Sequence, residues 1–259
     1  MSKSTDTELE SISFNAKKLS AKLFEWSDEY GLSLTADQIQ LLLTDLKLML
    51  EKNHVLNLTS IRDPFDALVL HILDSLLFLK PLDKLCESER DSTLLDMGTG
   101  GGFPGIPLAC TRPYEVTLLD SVGKKVAACS EFADYLGLSS RITCVHSRLE
   151  DYAKDKPYSF NFVVARALSS LDVLIEYATP FLSRTGFLIC GKGNPGDVEL
   201  ENAALSAKIC NLQLVSRETY ELPADYGHRE FFIYRKVGSS KVKLPRKAGE
   251  AKRNPISSI

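Results

Sequence analysis

The chain has no C-x-x-C pair and no cysteine–histidine cluster at metal-ligand spacing, although cysteines stand at 86, 110, 129, 144, 190 and 210. Isolated cysteines of this kind read as small buried residues of a reducing compartment, which predicts a cytoplasmic protein without a metal. No apolar run is long enough to cross a bilayer, so no membrane partner is expected. The opening residues, Met1 to Asn15, are polar and acidic and lack the character of a signal peptide. Positive charge is not in excess: 31 Lys and Arg face 34 Asp and Glu, a net charge of −3, which alone argues against nucleic acid. Its distribution argues otherwise. From Arg235 onward eight basic residues face one acid, Glu250, for a net +7, leaving −10 on the rest of the chain. A basic arm on an acidic body suits a polyanion, and a solvated tail without function fits the charge equally well. The remaining composition, 44% hydrophobic and 25% charged over 259 residues, is that of a globular chain with one large domain or a domain plus an extension.

The most informative stretch is Leu94 to Gly105, LLDMGTGGGFPG, a short apolar strand running into a glycine-rich turn. Such a turn needs residues that accept positive φ and let the backbone approach a ligand. Gly100-x-Gly102-x-x-Gly105 fits a dinucleotide fingerprint, with Asp120 about 20 residues on. Asp96-x-Gly98-x-Gly100-x-Gly102 fits the loop that holds S-adenosylmethionine. A pyrophosphate wants free N–H groups and no nearby anion. Here Asp96 ends the strand, and Pro104 removes an N–H. An ammonium and a sulfonium suit that acid better, so Asp96, Gly98 and Gly100 are assigned to S-adenosylmethionine.

Helices are expected over Ser13 to Tyr30, from Thr35 as N-cap to about Leu50, and over Phe65 to Leu79 with Asp63 as cap and Pro64 in the first turn. His71, Asp74 and Ser75 share one face of the third. Neighbours on one helix rarely reach triad geometry, so packing and hydrogen bonding beside the glycine loop are expected of them. From residue 93 strands and helices alternate. Strands are expected at 93–97, 115–120, 142–146, 160–165 and 186–190, followed by a hairpin of 212–219 and 230–235. Parallel strands closed by an antiparallel hairpin predict an α/β, Rossmann-like S-adenosylmethionine-dependent methyltransferase sheet rather than six parallel dinucleotide-binding strands. The expected division is an N-terminal helical extension at 1–90, the methyltransferase domain at 91–237 and a basic tail at 238–259.

Ligands of such sheets bind outside the carboxyl ends of the strands. Those ends carry Asp96, Asp120 for ribose hydroxyls, Leu149 and Glu150 for adenine, Arg166, and Lys192. The chain lacks a Pro-Cys pair, which excludes the cysteine nucleophile of pyrimidine C5 methylation. It also lacks an (Asp/Asn)-Pro-Pro-aromatic motif, which disfavours exocyclic amines. No strong base stands out, which suits an acceptor already nucleophilic when neutral, such as a purine ring nitrogen. A small-molecule acceptor remains open on these residues.

NLTSI from Asn57, HILDSL from His71, LDMGTGGGFPGIPL from Leu95, LDSVGKK from Leu119, Ala165-Arg166-Ala167 and the tail LPRKAGEAKRNP from Leu244 together resemble the RsmG family, formerly GidB, over residues 35 to 256. The resemblance implies methylation of N7 of a guanine in 16S ribosomal RNA near the decoding site, on the RNA or a small ribosomal subunit precursor, with S-adenosylmethionine as donor. By motif, Gly98, Phe103, Leu149, Glu150 and Arg166 would contact the cofactor, with Arg166 also beside the acceptor as the catalytic residue. Lys192, Arg229 of the hairpin, and Arg246, Lys247, Lys252 and Arg253 of the tail would meet RNA. The family's Arg-His pair before the last strand stands here as Arg229-Glu230.

Overall fold

A computed structural model describes residues 14–85 and 92–258; the polar opening residues, Ser13, Cys86 and the 90/91 boundary lie outside them. Helix α1 (Ala16–Glu29) is followed by α2 (Ala36–Leu56), which begins with a full capping box: Gln38 N–H donates to Thr35 Oγ1, and Thr35 N–H donates to Gln38 Oε1. Asp63 caps α3 (Pro64–Ala67) through two backbone N–H groups.

The single helix expected from Phe65 to Leu79 is not what forms. After α3 the chain makes a π-helical turn, Leu68–Leu73, and only then α4 (Asp74–Leu76) and α5 (Leu79–Leu85). The reason is in the apolar spacing. The pairs Leu68/Val69, Ile72/Leu73 and Leu76/Leu77 are all buried and recur every fourth residue, longer than the helical 3.6. A wider turn keeps all three pairs on one face, and such turns cluster at functional sites.

Seven strands follow: β1 (Thr93–Met97), β2 (Glu115–Asp120), β3 (Ile142–His146), β4 (Phe160–Arg166), β5 (Leu182–Lys192), β6 (Leu212–Leu222) and β7 (Gly227–Lys236). They form one sheet in the order β3-β2-β1-β4-β5-β7-β6. The first five are parallel, and β7 inserts antiparallel between β5 and β6. That is the expected hairpin closure, and it departs from an all-parallel dinucleotide sheet. Strand β5 starts four residues earlier than expected, where its pairing with β4 is irregular between Phe160 and Phe162.

Alternation along the strands builds two cores. Leu94, Val116, Leu118, Phe162, Val164 and Ile233 face the amino-terminal helices together with α6 (Gly105–Thr111) and α7 (Gly123–Tyr135). Leu95, Met97, Leu119, Val163 and Tyr234 face the other layer, containing α9 (Leu171–Ala178) and α10 (Asp197–Cys210), with the short α8 (Leu149–Asp155) beside it.

The tail is not a free arm. Lys241 N–H donates to Ile209 O at 2.9 Å, Ser257 Oγ donates to Asp172 at 2.9 Å, and Ala251 and Ile256 are buried in the second core. Helix α11 (Glu250–Arg253) lies within this docked segment. Its apolar residues, few among many charges, find partners on α9 and α10. The five described cysteines are free thiols, four of them buried.

Candidate functional site

Two acids shape the glycine loop. Asp96 Oδ2 accepts from Thr99 Oγ1 at 2.6 Å and from Gly105 N–H at 2.9 Å. Asp120 Oδ2 accepts from Gly100 N–H at 3.0 Å, and its Oδ1 accepts from Val122 N–H at 2.8 Å. Gly105 admits no side chain, because an added Cβ would lie 2.2 Å from Leu118 Cδ2. Gly98, at φ +70°, is covered by Leu168, whose Cδ1 would lie 2.5 Å from an added Cβ. Asp96 itself is buried with Oδ1 unpartnered. Burial pushes its carboxyl up to about 6, against the pull of the Thr99 and Gly105 hydrogen bonds.

A first cavity of about 170 Å³ opens at the ends of β1, β2 and β3, with Gly98, Leu119, Asp120, Leu149, Leu168 and Lys252 among its walls. Asp120 supplies carboxylate oxygens, and the three leucines supply apolar surface. Asp120 and these apolar faces fit a ribose with an apolar-faced base, and Arg148 and Lys252 add positive charge at the same cavity. Glu150 also lines it, but one of its oxygens accepts from Gly249 N–H at 2.6 Å, and Tyr177 hydrogen-bonds to it as well. Its expected place at an adenine edge is therefore already shared with the tail.

A second cavity of about 410 Å³ lies at the ends of β4 and β5, walled by His71, Asp74, Arg166, Lys192 and Arg229 among others. Ala167 lines this cavity and Leu168 the first, so adjacent residues separate them. Ala167 sits at φ +52°, a left-handed conformation uncommon outside glycine. Arg166 Nη1 donates to Leu70 O at 2.8 Å and to Asp74 at 3.0 Å, while Arg229 Nε donates to the other oxygen of Asp74 at 2.9 Å. Phe103 is stacked on His71 at 4.9 Å between ring centres, and the Arg166 guanidinium lies 5.7 Å from the Phe103 ring. His71 Nε2 pairs with Thr59 Oγ1 at 3.0 Å, and its buried Nδ1 has no partner. Burial first, then the Arg166 charge, lowers His71 to about 3, so the ring is neutral at physiological pH.

The assigned residues thus divide. Gly98, Asp120, Leu149, Glu150 and Lys252 meet at the first cavity, and Arg166, Lys192 and Arg229 at the second. Asp96, Gly100 and Phe103 line neither: Asp96 and Gly100 are hydrogen-bonded within the loop and to Asp120, and Phe103 stacks on His71 beside Arg166. Arg246 is corrected as an RNA contact. It is mostly buried and makes a bidentate pair with Glu176 at 2.7 and 2.6 Å, because docking the tail places its guanidinium inside the protein. Lys192 keeps its place but is paired with Glu199 at 2.7 Å. Lys247, Lys252 and Arg253 are exposed. The sequence reading missed Leu168, Tyr177 and Gly249, and it left Asp74 without a charge partner. Residue type gave no signal for these. For Asp74 the four-residue apolar repeat was the available clue to an unusual turn. Among the described residues no cluster could hold a metal ion and no helix is long and apolar enough to cross a membrane.

The model of the GidB family, rRNA small subunit methyltransferase G, matches residues 38–224. The chain is 34% identical over 231 residues to the ribosomal RNA small subunit methyltransferase G of Alkaliphilus metalliredigens, covering 88% of this chain and 95% of that protein. It is 33% identical over 238 residues to the protein of that name from Staphylococcus carnosus, covering 90% and 97%. Among solved structures it is similar in fold to a geranyl diphosphate methyltransferase in complex with SAM (TM-score 0.52, 13% identity, 67% of this chain and 90% of that one). It is likewise similar to a sarcosine dimethylglycine methyltransferase from Galdieria sulphuraria (TM-score 0.51, 13% identity, 65% and 86%).

Proposed function

The chain belongs to the GidB family of rRNA small subunit methyltransferases, and from that membership we propose that it methylates N7 of a guanine in 16S ribosomal RNA near the decoding site. Methylation of small-subunit rRNA is the family's reaction and S-adenosylmethionine its donor. The cytoplasm, where the subunit is assembled, is its place of action. The observation that carries the finer reading is the pair of cavities meeting at Ala167 and Leu168, one with the Asp120 carboxylate and three leucines in its walls, the other with Arg166, Lys192 and Arg229.

In the first cavity Asp120 would accept from ribose hydroxyls, while Leu119, Leu149 and Leu168 would flank the adenine. Asp96 holds the loop from beneath through Thr99 and Gly105. When bound, the donor supplies an electrophilic methyl on a sulfonium. The second cavity is wide enough for a nucleobase and carries no free general base. His71, lowered to about 3 by burial and the Arg166 charge, is too weak a base near neutral pH, and Asp74 is tied to two arginines. N7 of guanine needs no base, because its lone pair is free in the neutral ring. Catalysis then rests on positioning and on exclusion of water. Arg166 would donate to O6 alone, since a fork on both O6 and N7 would block the reacting atom. The methylated ring is cationic, so Arg166 and Arg229 favour its release. Lys192 and Arg229 at this cavity, with exposed Lys247, Lys252 and Arg253, would take phosphates. A base buried in A-form RNA is out of reach, so a loop or splayed guanine is the substrate.

The test is reverse-transcription mapping of N7-methylguanine in ribosomal RNA from cells with and without the gene. Loss of one mark in the 16S RNA, restored by purified protein with S-adenosylmethionine, is expected. An unchanged map overturns the N7 reading.

A further inference from the structure

The carboxyl-terminal segment does more than carry cations. Gly249 and Lys252 line the first cavity together with Gly98 and Asp120. Gly249, at φ +73°, turns the backbone so that its N–H donates to Glu150, itself a wall of that cavity. Three residues before this contact lies the anchor. Arg246 grips both oxygens of Glu176, and it also donates to Asn254 O at 2.8 Å and to Glu250 at 3.4 Å. Glu176 is 3% exposed, so the pair is largely sealed from water. The next residue on α9, Tyr177, lines the same cavity and hydrogen-bonds to Glu150. Behind the segment, Ala251 and Ile256 are packed into the second core. A continuous set of contacts thus runs from the buried ion pair through Tyr177 and Glu150 to the cavity wall.

We infer that residues 244–256 form one wall of the S-adenosylmethionine pocket, latched to the body by the Arg246–Glu176 pair, so that docking of this segment sets cofactor affinity. The inference rests on reading the first cavity as the cofactor site. It goes beyond RNA binding: Gly249 faces the small molecule's cavity, and the latch is an arginine already committed to Glu176 on both carboxylate oxygens.

The probe is S-adenosylhomocysteine, titrated calorimetrically into the full-length protein. Wild type is expected to bind. Arg246→Ala and Glu176→Gln, each checked for cooperative melting, are expected to bind at least about tenfold more weakly. In a second measurement on wild type alone, saturating S-adenosylhomocysteine is expected to slow tryptic cleavage at Lys247, Lys252 and Arg253. Folded variants whose affinity stays within about twofold of wild type overturn the wall. So does tryptic cleavage unchanged by the ligand, which decides the matter even if both variants fail to fold. Failure of wild type itself to bind is a different result: it overturns the cofactor assignment of the first cavity, and the wall with it.

Discussion

Asp74 accepts a hydrogen bond from Arg166 at 3.0 Å although 92 residues separate them in the chain. The other oxygen of Asp74 holds Arg229, so one carboxylate from the residue after the π-helical turn orients two cations brought from two strand ends. Removing one member of a largely buried ion pair leaves a charge without compensation, at a cost of about 3–5 kcal/mol. Asp74→Ala is therefore expected to lower the melting temperature and to reduce methyl transfer by roughly 100-fold or more, since misplaced groups cost about that much. Affinity for S-adenosylhomocysteine should change little, because Asp74 lines only the second cavity. Equal losses in turnover and cofactor affinity would remove the distinction between the two cavities.

Arg166→Lys should behave as a loss rather than as a conservative exchange. A lysine cannot reproduce the guanidinium's simultaneous contacts to Leu70 O and Asp74 beside the Phe103 ring. Single-turnover rates on the RNA substrate are expected to fall by roughly 100-fold, with cofactor affinity within about threefold of wild type. Retained turnover would show that Arg166 plays no direct part at the acceptor.

Asp96 gives the ligand-free protein a pH dependence with a definite sign. Its carboxyl titrates at about 6 when folded, above its ordinary 3.8. Its stabilising contribution is complete below about pH 4 and lost as pH rises through about 6, a difference near 3 kcal/mol at 1.36 kcal/mol per unit. Thermal melts of wild type and Asp96→Asn between pH 4.5 and 7 check this. The stability of wild type relative to the variant should decline across that window, and parallel curves would contradict the assignment.

Asp45 predicts a stabilising substitution away from both cavities. It is fully buried on α2, neither oxygen has a partner, and burial raises its carboxyl well above the ordinary value. Its contribution is lost as pH rises, because the folded state must hold a proton that the unfolded state releases. Asp45→Asn removes the titration while keeping the shape. It is expected to raise the melting temperature at pH 8 by roughly 2–4 °C or more, the equivalent of about 1 kcal/mol in a chain of this size. The gain should shrink toward pH 4, with activity unchanged. A lowered melting temperature at pH 8 would mean that the carboxylate has a compensating partner.

How far the sequence could be read depended on the range of the interaction. Asp96, Gly98 and Gly100 stand within a few residues of one another, so their cooperation is local and visible as a pattern. Thr35 and Gln38 form their capping box within one helical turn for the same reason. The strand ends at Asp120 and Arg166 followed from alternating strand and helix. The tail did not yield to this reading. Composition records its charge but not that Arg246 meets Glu176 across 70 residues or Gly249 meets Glu150 across 99. Asp74 was read as one polar face of a regular helix, and its two arginine partners lie 92 and 155 residues away.

The wide turn at Leu68–Leu73 ties the wall of the second cavity to one backbone irregularity. A π-turn takes up one residue more than an α-helix would fit, so if the same six residues closed as an ordinary helix, at about 100° per residue, everything after them would swing around the axis by about that angle. His71 could keep its stack on Phe103 while Asp74 left its arginines, or the reverse, but one regular helix over these residues would not serve both. Changes that regularise the turn without shortening the chain should therefore do more damage than side-chain substitutions that leave it wide.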